Sequence, residues 1–571
     1  MEFATIVRTL WVGLAVAITL ALVWTTRRRR DNNVIVRLHA EWGRLCYRDS
    51  DFPSLVDYHR AMAADGSSVD DRTWDDLNMD SVFTILNRTE SVVGQQALYH
   101  RLRTPRTGPT LDAFESLVKM MDLQPLERER AQVALSRLKD AAGYDIWRMA
   151  SQRPIDSKFW HIVFPLLAVF TGSAILATLI WPVALFAVAA GAVASLLLRA
   201  SVASHLRFVV GPFRQIGPLL KAADTLGTIS YPGASALVGT LRADAAKLSR
   251  LRRIAGRVSR ETGAGTDLGA AIFEYVNALF CLDANALYFG ERELRARRAE
   301  LLRVIAAVGE IDAATSVASF RHGTPGWTRP RWRKAGTGAT MAGIRHPLII
   351  DAVPNSVMIG DPSGVIVTGS NMSGKSTFLR TVGVTAVMAQ TINTCLADAY
   401  EAPAFVVRSC IGRADDPSTG KSYYLVEVDS VLALVKDSAS DVPHLFLFDE
   451  LFRGTNAVER IAAGEAVLRA LLTPRAGSKP APHVVLAATH DQELVELVVG
   501  WYVAYHFTDS VGDEGLAFDY QLLPGVATSR NAISLLKLRG APAELVSRAL
   551  NRAAALDRMR EPALIAMGAR T

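Results

Sequence analysis

The sequence predicts an α/β carboxy-terminal part behind a largely helical first part. Three observations carry this. From about residue 344, short apolar runs alternate with helical segments; a glycine-rich turn ending in lysine joins one such run to a helix; and before residue 344 the apolar residues recur mostly at helical spacing. The runs are Val365-Ile-Val367, His444-Leu-Phe-Leu-Phe448 and His483-Val-Val-Leu-Ala-Ala-Thr489. Runs that are apolar throughout, with helices between them, indicate a parallel sheet covered on both faces.

The chain of 571 residues has room for about two to four domains. Half of it is hydrophobic and the mean hydropathy is +0.18, with the excess in two places. Thr9 to Thr26 carries no charge and is followed by Arg27-Arg-Arg-Arg30; Phe159 to Leu198 is equally free of charge between Lys158 and Arg199. The first is read as a transmembrane anchor within residues 1–30, the second as a transmembrane helical hairpin over 159–199 that turns near Trp181-Pro182. A cleaved signal peptide would carry its basic cluster before the apolar run. A hairpin buried in a soluble core is the rival for the second, and its uninterrupted lack of charge argues against it. Arg27 to Arg30 then hold the carboxy-terminal end of the anchor in the cytosol, and Arg153, Lys158, Arg199 and Arg207 hold both ends of the hairpin on the same side. The expectation is a multi-pass protein of the cell membrane with its soluble domains facing the cytosol.

The net charge of +7 fits nucleic acid or an anionic membrane surface without choosing between them. Cys46, Cys281, Cys395 and Cys410 lie far apart, with no Cys-x-x-Cys pair, so neither a disulfide framework nor a zinc site is expected.

In chain order, residues 31–158 are predicted to form a helical core. Between Trp74 and Pro105, Leu77, Val82, Phe83, Leu86, Val93, Ala97 and Leu102 recur at helical spacing, and 110–150 continue as helix. Residues 200–343 are a second helical region, a lever or arm, with breaks at Gly211-Pro212, Gly217-Pro218 and Tyr231-Pro-Gly233. Glu291 to Arg303 reads as one long exposed helix. The loop from His322 to Gly338 carries Pro325, Gly326 and Pro330, so a boundary is placed there and 344–571 is taken as the α/β domain.

The chemistry lies in that last part. Gly369 to Ser376 fits Gly-x-x-x-x-Gly-Lys-Ser between a strand and a helix that opens with Phe378-Leu-Arg-Thr-Val. This is the context of a phosphate-binding loop, and it calls for ATP and Mg²⁺. Gly369 and Gly374 let backbone N–H groups close on phosphates, Lys375 reaches the terminal ones, and the Ser376 hydroxyl ligates Mg²⁺. Asp449 ends an apolar strand where a second Mg²⁺ anchor belongs. Glu450 follows it, placed to polarise a water. His490 ends another strand and is read as a contact of the γ-phosphate. Solvated surface carboxylates and a structural histidine are the plain alternatives.

Gly-Ser-Asn-Met-Ser-Gly-Lys-Ser-Thr, with Asn371 and Met372 inside the loop, resembles the MutS mismatch-repair ATPases within the wider ABC-type P-loop class. Other stretches agree in order: Gly412 to Glu427, Asp449-Glu-Leu-Phe-Arg-Gly-Thr-Asn456, Ala488-Thr-His490, Tyr520-Gln-Leu-Leu-Pro-Gly525, Ile344-Arg-His-Pro347, and Leu77 to Pro105. The resemblance covers about 74–150 and 300–555. It implies an ATP-hydrolysing dimer in which Ser422 of one subunit completes the nucleotide site of the other, with Thr455 and Asn456 at the same interface. Helix N-capping is the alternative role for Ser422. It also implies that Asn371, Met372 and Thr377 belong to the nucleotide site.

Two departures stand out. Phe452 occupies a position where the family has glycine, and Tyr423-Tyr424 replace Thr-Phe. The family's mismatch-reading Phe-x-Glu has no amino-terminal counterpart, so a membrane-anchored variant without the mismatch-recognition domain is expected. DNA remains a candidate partner through sequence-independent backbone contacts, with Arg250, Arg252, Arg253, Arg257 and Arg260 as a basic cluster. Contact with anionic lipid and a plain solvated face are its alternatives. The expected function is a membrane-anchored MutS-like ATPase related to mismatch repair. Its rivals are an ATP-driven scaffold that never engages DNA and a transporter-type ATPase, the latter weakened by the absence of Leu-Ser-Gly-Gly-Gln.

Overall fold

The computed structural model describes residues 25, 28–29, 31–63, 68–151, 159–258, 275–277, 279–370, 372–412, 423–473, 481–512, 515–526, 533, 536 and 540–568. The chain divides into two compact units: residues 1–67 with 83–325, and residues 68–82 with 326–571. The first is helical and the second is α/β.

In the helical unit the helix Arg298–Gly323 packs against the helices Val92–Arg103, Pro109–Leu123 and Ser235–Lys247. Its inner face, Leu301, Val304, Ile305, Val308 and Ile311, is buried. The expected exposed helix over Glu291 to Arg303 is therefore corrected. Arg297, at φ −124°, separates Leu282–Ala296 from the central helix, and the apolar stripe of the second piece faces the core. Asp312 of that helix is fully buried and accepts hydrogen bonds from Glu90 N at 3.0 Å, Ser91 N at 2.8 Å and Ser91 Oγ at 2.5 Å. Ser91 in turn caps Val92–Arg103 by accepting from Gly94 N at 2.9 Å.

The expected breaks at Pro212 and Pro218 do not occur. One helix of 44 residues, Leu185–Thr228, runs through both prolines and ends before the turn at Tyr231 to Gly233.

The transmembrane hairpin, and with it the multi-pass cell-membrane localisation, is also corrected: no described helix is long and apolar enough to cross a membrane. The charge-free stretch is divided. Val163–Ala177 has 15 residues, about 22 Å of helix against the ~20 residues a span requires. After the turn at Thr178 to Trp181, the next helix stays free of charge only as far as Leu198 and then runs on through Arg199. The stretch leaves Phe170, Leu179, Trp181 and Phe186 more than half exposed, so packing within the helical unit does not account for its apolarity. The anchor read at Thr9 to Thr26 lies almost wholly outside the described residues.

Among the described residues the α/β unit holds ten strands: β1 (Arg331–Trp332), β2 (Ala339–Ile344), β3 (Asn355–Ile359), β4 (Gly364–Thr368), β5 (Ala399–Ala402), β6 (Val406–Ile411), β7 (His444–Asp449), β8 (Val484–Ala488), β9 (Tyr502–Gly512) and β10 (Gly515–Pro524). The larger sheet has the order β10-β9-β4-β8-β7-β6, parallel from β9 to β6 with β10 antiparallel at one edge. The smaller sheet has the order β1-β5-β2-β3. Four helices of this unit matter below: α1 (Asp71–Asp76), α2 (Lys375–Ile392), α3 (Tyr423–Asp437) and α4 (Ala457–Leu472).

Both faces of the larger sheet are covered, which explains its continuous apolar runs. Phe446, Phe448, Val485 and Ala487 share a core with Val431 and Leu434 of α3 and Leu468 and Leu471 of α4. The alternate residues Leu445 and Leu447 turn the other way, toward α2. The outer edge of β6 is closed by α1. Ser409 N donates to Thr73 Oγ1 at 3.1 Å, and Ile411 N donates to Asp76 Oδ2 at 3.0 Å. Without them this strand edge would keep unpaired N–H groups.

Candidate functional site

The site begins where β4 ends. Gly369 (φ 140°) and Gly374 (φ 112°) turn the backbone through conformations that side chains resist, and a Cβ on Gly369 would meet Ser373 Oγ at 2.8 Å. Helix α2 then starts at Lys375, with the N-terminal N–H groups of α2 facing the loop. Lys375 Nζ donates to the carbonyls of Gly369 (3.0 Å) and Ser370 (2.8 Å) and lies 3.1 Å from His490 Nε2. Ser376 Oγ donates to Asp449 Oδ2 at 2.6 Å.

β7 and β8 deliver the remaining groups. They are neighbours in the sheet, so the residues at their carboxyl ends converge: Glu450 Oε1 lies 2.8 Å from His490 Nε2. Arg453 Nε meets the other oxygen, Oε2, at 3.0 Å. The hydrogen bond with His490, followed by the charges of His490, Arg453 and Lys375 and opposed by burial, holds the Glu450 carboxyl below its ordinary range. Glu450 is thus ionised at neutral pH.

A cavity of about 660 Å³ opens over these groups. Met372, Gly374, Lys375, Ser376, Thr377, Asp449, Glu450 and Arg453 line one part of it; Ile349, Val353, Asn355, Phe507 and Tyr520 line another. Its size suits a nucleotide-sized ligand with a charged end and a flat apolar end. His346, also in the lining, is pushed down to about 4 by burial and is neutral at physiological pH.

Of the residues singled out in the sequence, Gly369, Gly374, Lys375, Ser376, Asp449, Glu450 and His490 come together here, with Met372 and Thr377 in the cavity wall. Asn371 and Ser422 lie outside the described residues, as does Arg260; the other cluster arginines sit on the helix Ser249–Val258 of the helical unit. There Arg250 faces Glu293 at 3.8 Å and Arg252 pairs with Asp224. Asn456 caps α4 by accepting from Glu459 N at 2.9 Å, and Thr455 Oγ1 donates to Glu459 Oε2 at 2.9 Å. Phe507 carries no local signal for a place in the site, because strand order brings it there; Arg453, three residues after Glu450, and Tyr520 lie in stretches that carry the family resemblance but are not singled out there as site residues.

Phe452, where the resembling family has glycine, has φ 58°, the left-handed region that glycine tolerates best. Its ring is buried with Leu451, Val431 and Leu434, which offsets the backbone cost.

Comparison with known proteins gives matches over the part of the chain that holds this site. The family described as MutS domain V matches residues 365–557. The DNA mismatch repair protein MutS of Thermus thermophilus is 33% identical over 285 residues, which is 49% of this chain and 33% of that protein. That of Thermus aquaticus is 34% identical over 283 residues, 48% of this chain and 33% of that protein. The DNA mismatch repair protein MutS 2 of Halobacterium salinarum is 31% identical over 274 residues, 46% and 30% of the two chains. These matches span about a third of the relatives' length. Over roughly the half of this chain that they cover, the protein is MutS-like.

Proposed function

We propose that the α/β unit binds ATP with Mg²⁺ and hydrolyses it, as the nucleotide-driven part of a MutS-like dimer that engages DNA. One observation carries the reading: the Ser376 hydroxyl and the Asp449 carboxylate stand 2.6 Å apart beside a Lys375–His490–Glu450 chain, at the carboxyl ends of parallel strands.

The donor set fits the groups required. A hydroxyl and a carboxylate side by side are hard oxygen ligands suited to Mg²⁺. Ser373 Oγ is buried with no hydrogen-bond partner among the described residues, as expected of a loop made to wrap something else. The Gly369 turn has no space for a side chain. When bound, Mg²⁺ neutralises phosphate charge and polarises the phosphoryl oxygens. Lys375 exchanges the Gly369 and Ser370 carbonyls for phosphate oxygens. Glu450 takes a proton from the water that attacks the γ-phosphorus, the bond to the β,γ-bridging oxygen breaks, and ADP and inorganic phosphate leave. His490, within reach of both Glu450 and Lys375, orients the carboxylate and contacts the γ-phosphate.

DNA is taken from the relatives' names, which are those of DNA mismatch repair proteins; the dimer, with Ser422 reaching the partner's site, is taken from the motif resemblance. Arg250 and Arg253 are the exposed cations proposed for the phosphate backbone.

Two variants test the hydrolysis. Glu450→Gln retains ATP binding and slows turnover by a factor on the order of 10² or more, whereas Lys375→Ala weakens nucleotide binding itself. Near-normal turnover in Glu450→Gln rules out its role. For DNA, duplex binding that does not weaken with added salt rules out the backbone contact.

A further inference from the structure

The turn that carries Glu450 is held from α3. Glu450 has φ 55° and Phe452 φ 58°, so two of its residues sit in the left-handed region, which side chains other than glycine's disfavour. Such a turn persists only if its surroundings hold it. On one side Glu450 N donates to Ala488 O of β8 at 3.0 Å. On the other, Phe452 N donates to Glu427 Oε1 at 2.6 Å. Glu427 lies in the first part of α3 and is buried at 7% exposure, an expensive place for a carboxylate. Its second oxygen, Oε2, is buried with no hydrogen-bond partner among the described residues. Burial raises the Glu427 carboxyl, opposed by the backbone N–H groups of Phe452 and Arg453 and by Arg72. The site already described makes no use of this group.

We propose that Glu427 is a positioning residue that ties the amino-terminal end of α3 to the carboxylate of Glu450. The inference rests on the reading of Glu450 given above. The chain of contact is short. Glu427 holds the Phe452 and Arg453 backbone; Arg453 holds Glu450 Oε2; and the backbone of Glu450 starts the same turn. Ser422 immediately precedes α3 in sequence, so whatever orders that end of the helix acts on Glu427 about one turn later. A shift of α3 then moves the hydrogen bond that keeps Glu450 facing His490. Glu427 does not line the cavity over Lys375 and Glu450, so its effect is expected to fall on turnover and not on binding.

Single-turnover and steady-state ATP hydrolysis, with fluorescent-nucleotide binding, test this on the full chain. Glu427→Ala is expected to bind ATP within a few-fold of wild type and to lose turnover on the order of tenfold to a hundredfold, the cost of a misplaced reacting group. Glu427→Gln keeps an oxygen that can accept the Phe452 N–H and recovers most of that loss. Glu427→Asp, one methylene short, does not. In a Glu450→Gln background, Glu427→Ala adds no further loss, because the group it positions is already disabled. A merely structural lesion would add to it and would weaken binding as well. If Glu427→Ala does not fold, the Gln and Asp variants decide, and equal turnover in the two overturns the proposal. Loss of turnover in Glu450→Gln with wild-type turnover in Glu427→Ala overturns this inference alone. Wild-type turnover in Glu450→Gln overturns the reading of the site and this inference with it.

Discussion

Two opposed energies meet at Phe452. A non-glycine residue in the left-handed region costs about 1–2 kcal/mol, and a large buried aromatic ring is worth about 3–5 kcal/mol against its removal. The ring wins. Phe452→Gly would restore the residue of the resembling family, yet it is expected to destabilise the protein by about 2 kcal/mol, because the core with Val431 and Leu434 loses more than the backbone regains. A denaturant melt of the full chain checks this, and a more stable glycine variant would show that strain outweighs packing. The same scale explains why Lys375 is tolerated at 5% exposure: its ammonium donates to two loop carbonyls.

Helix ends at the element scale depend on partners far away in sequence. Val92–Arg103 is capped locally by Ser91, but Ser91 and Glu90 are themselves held by Asp312 of the helix Arg298–Gly323. Removing the carboxylate leaves two buried N–H groups and a hydroxyl without their acceptor. Asp312→Ala is therefore expected to destabilise the protein by about 1–3 kcal/mol for each buried donor left without its acceptor. It is also expected to raise hydrogen exchange in the first turn of Val92–Arg103 before elsewhere. Unchanged protection there would mean that Ser91 suffices alone. β6 shows the same dependence in the other unit, where Thr73 and Asp76 of α1 take up N–H groups that a free sheet edge would expose.

The proposed hydrolysis belongs to two chains at the scale of the whole molecule. If Ser422 completes the site of a partner, a Ser422→Ala subunit keeps its own phosphate loop intact, and a Lys375→Ala subunit keeps its own Ser422. Mixing the two inactive proteins is then expected to restore part of the ATPase activity, because each heterodimer contains one complete composite site. If Ser422 serves its own chain's nucleotide, every site in the mixture still carries one lesion and activity stays at the level of the separate mutants. Pull-down of differently tagged chains establishes that exchange has occurred. A tandem-linked dimer with both lesions in one half covers the case in which hydrolysis needs two intact sites.

Much of the α/β unit was legible in the sequence because its signals are local. Val365 to Val367, the turn to Gly374 and the helix from Lys375 follow within one short stretch, and β-branched, glycine and helix-forming residues declare each piece. The ends of β7 and β8 were legible for the same reason, since apolar runs stop where Asp449, Glu450 and His490 begin. Tertiary structure alone decided what those ends meet. Strand order makes β7 and β8 neighbours and so joins Glu450 to His490; docking of α1 brings residues 68–82 to β6; and the fold of the turn brings Phe452 to Glu427. The pattern over Glu291 to Arg303 also misled for a physical reason. Its many charges masked the stripe of Leu301, Val304 and Ile305, which face a core built from helices some two hundred residues earlier. In the charge-free stretch 159–198 the turn read near Trp181-Pro182 falls at Thr178 to Trp181, but composition did not reveal that the helix before it has only 15 residues or that the helix after it runs on past Arg199. Spacing along a chain reports only contacts within a few residues, and everything that depends on which distant segment lies opposite is settled by packing.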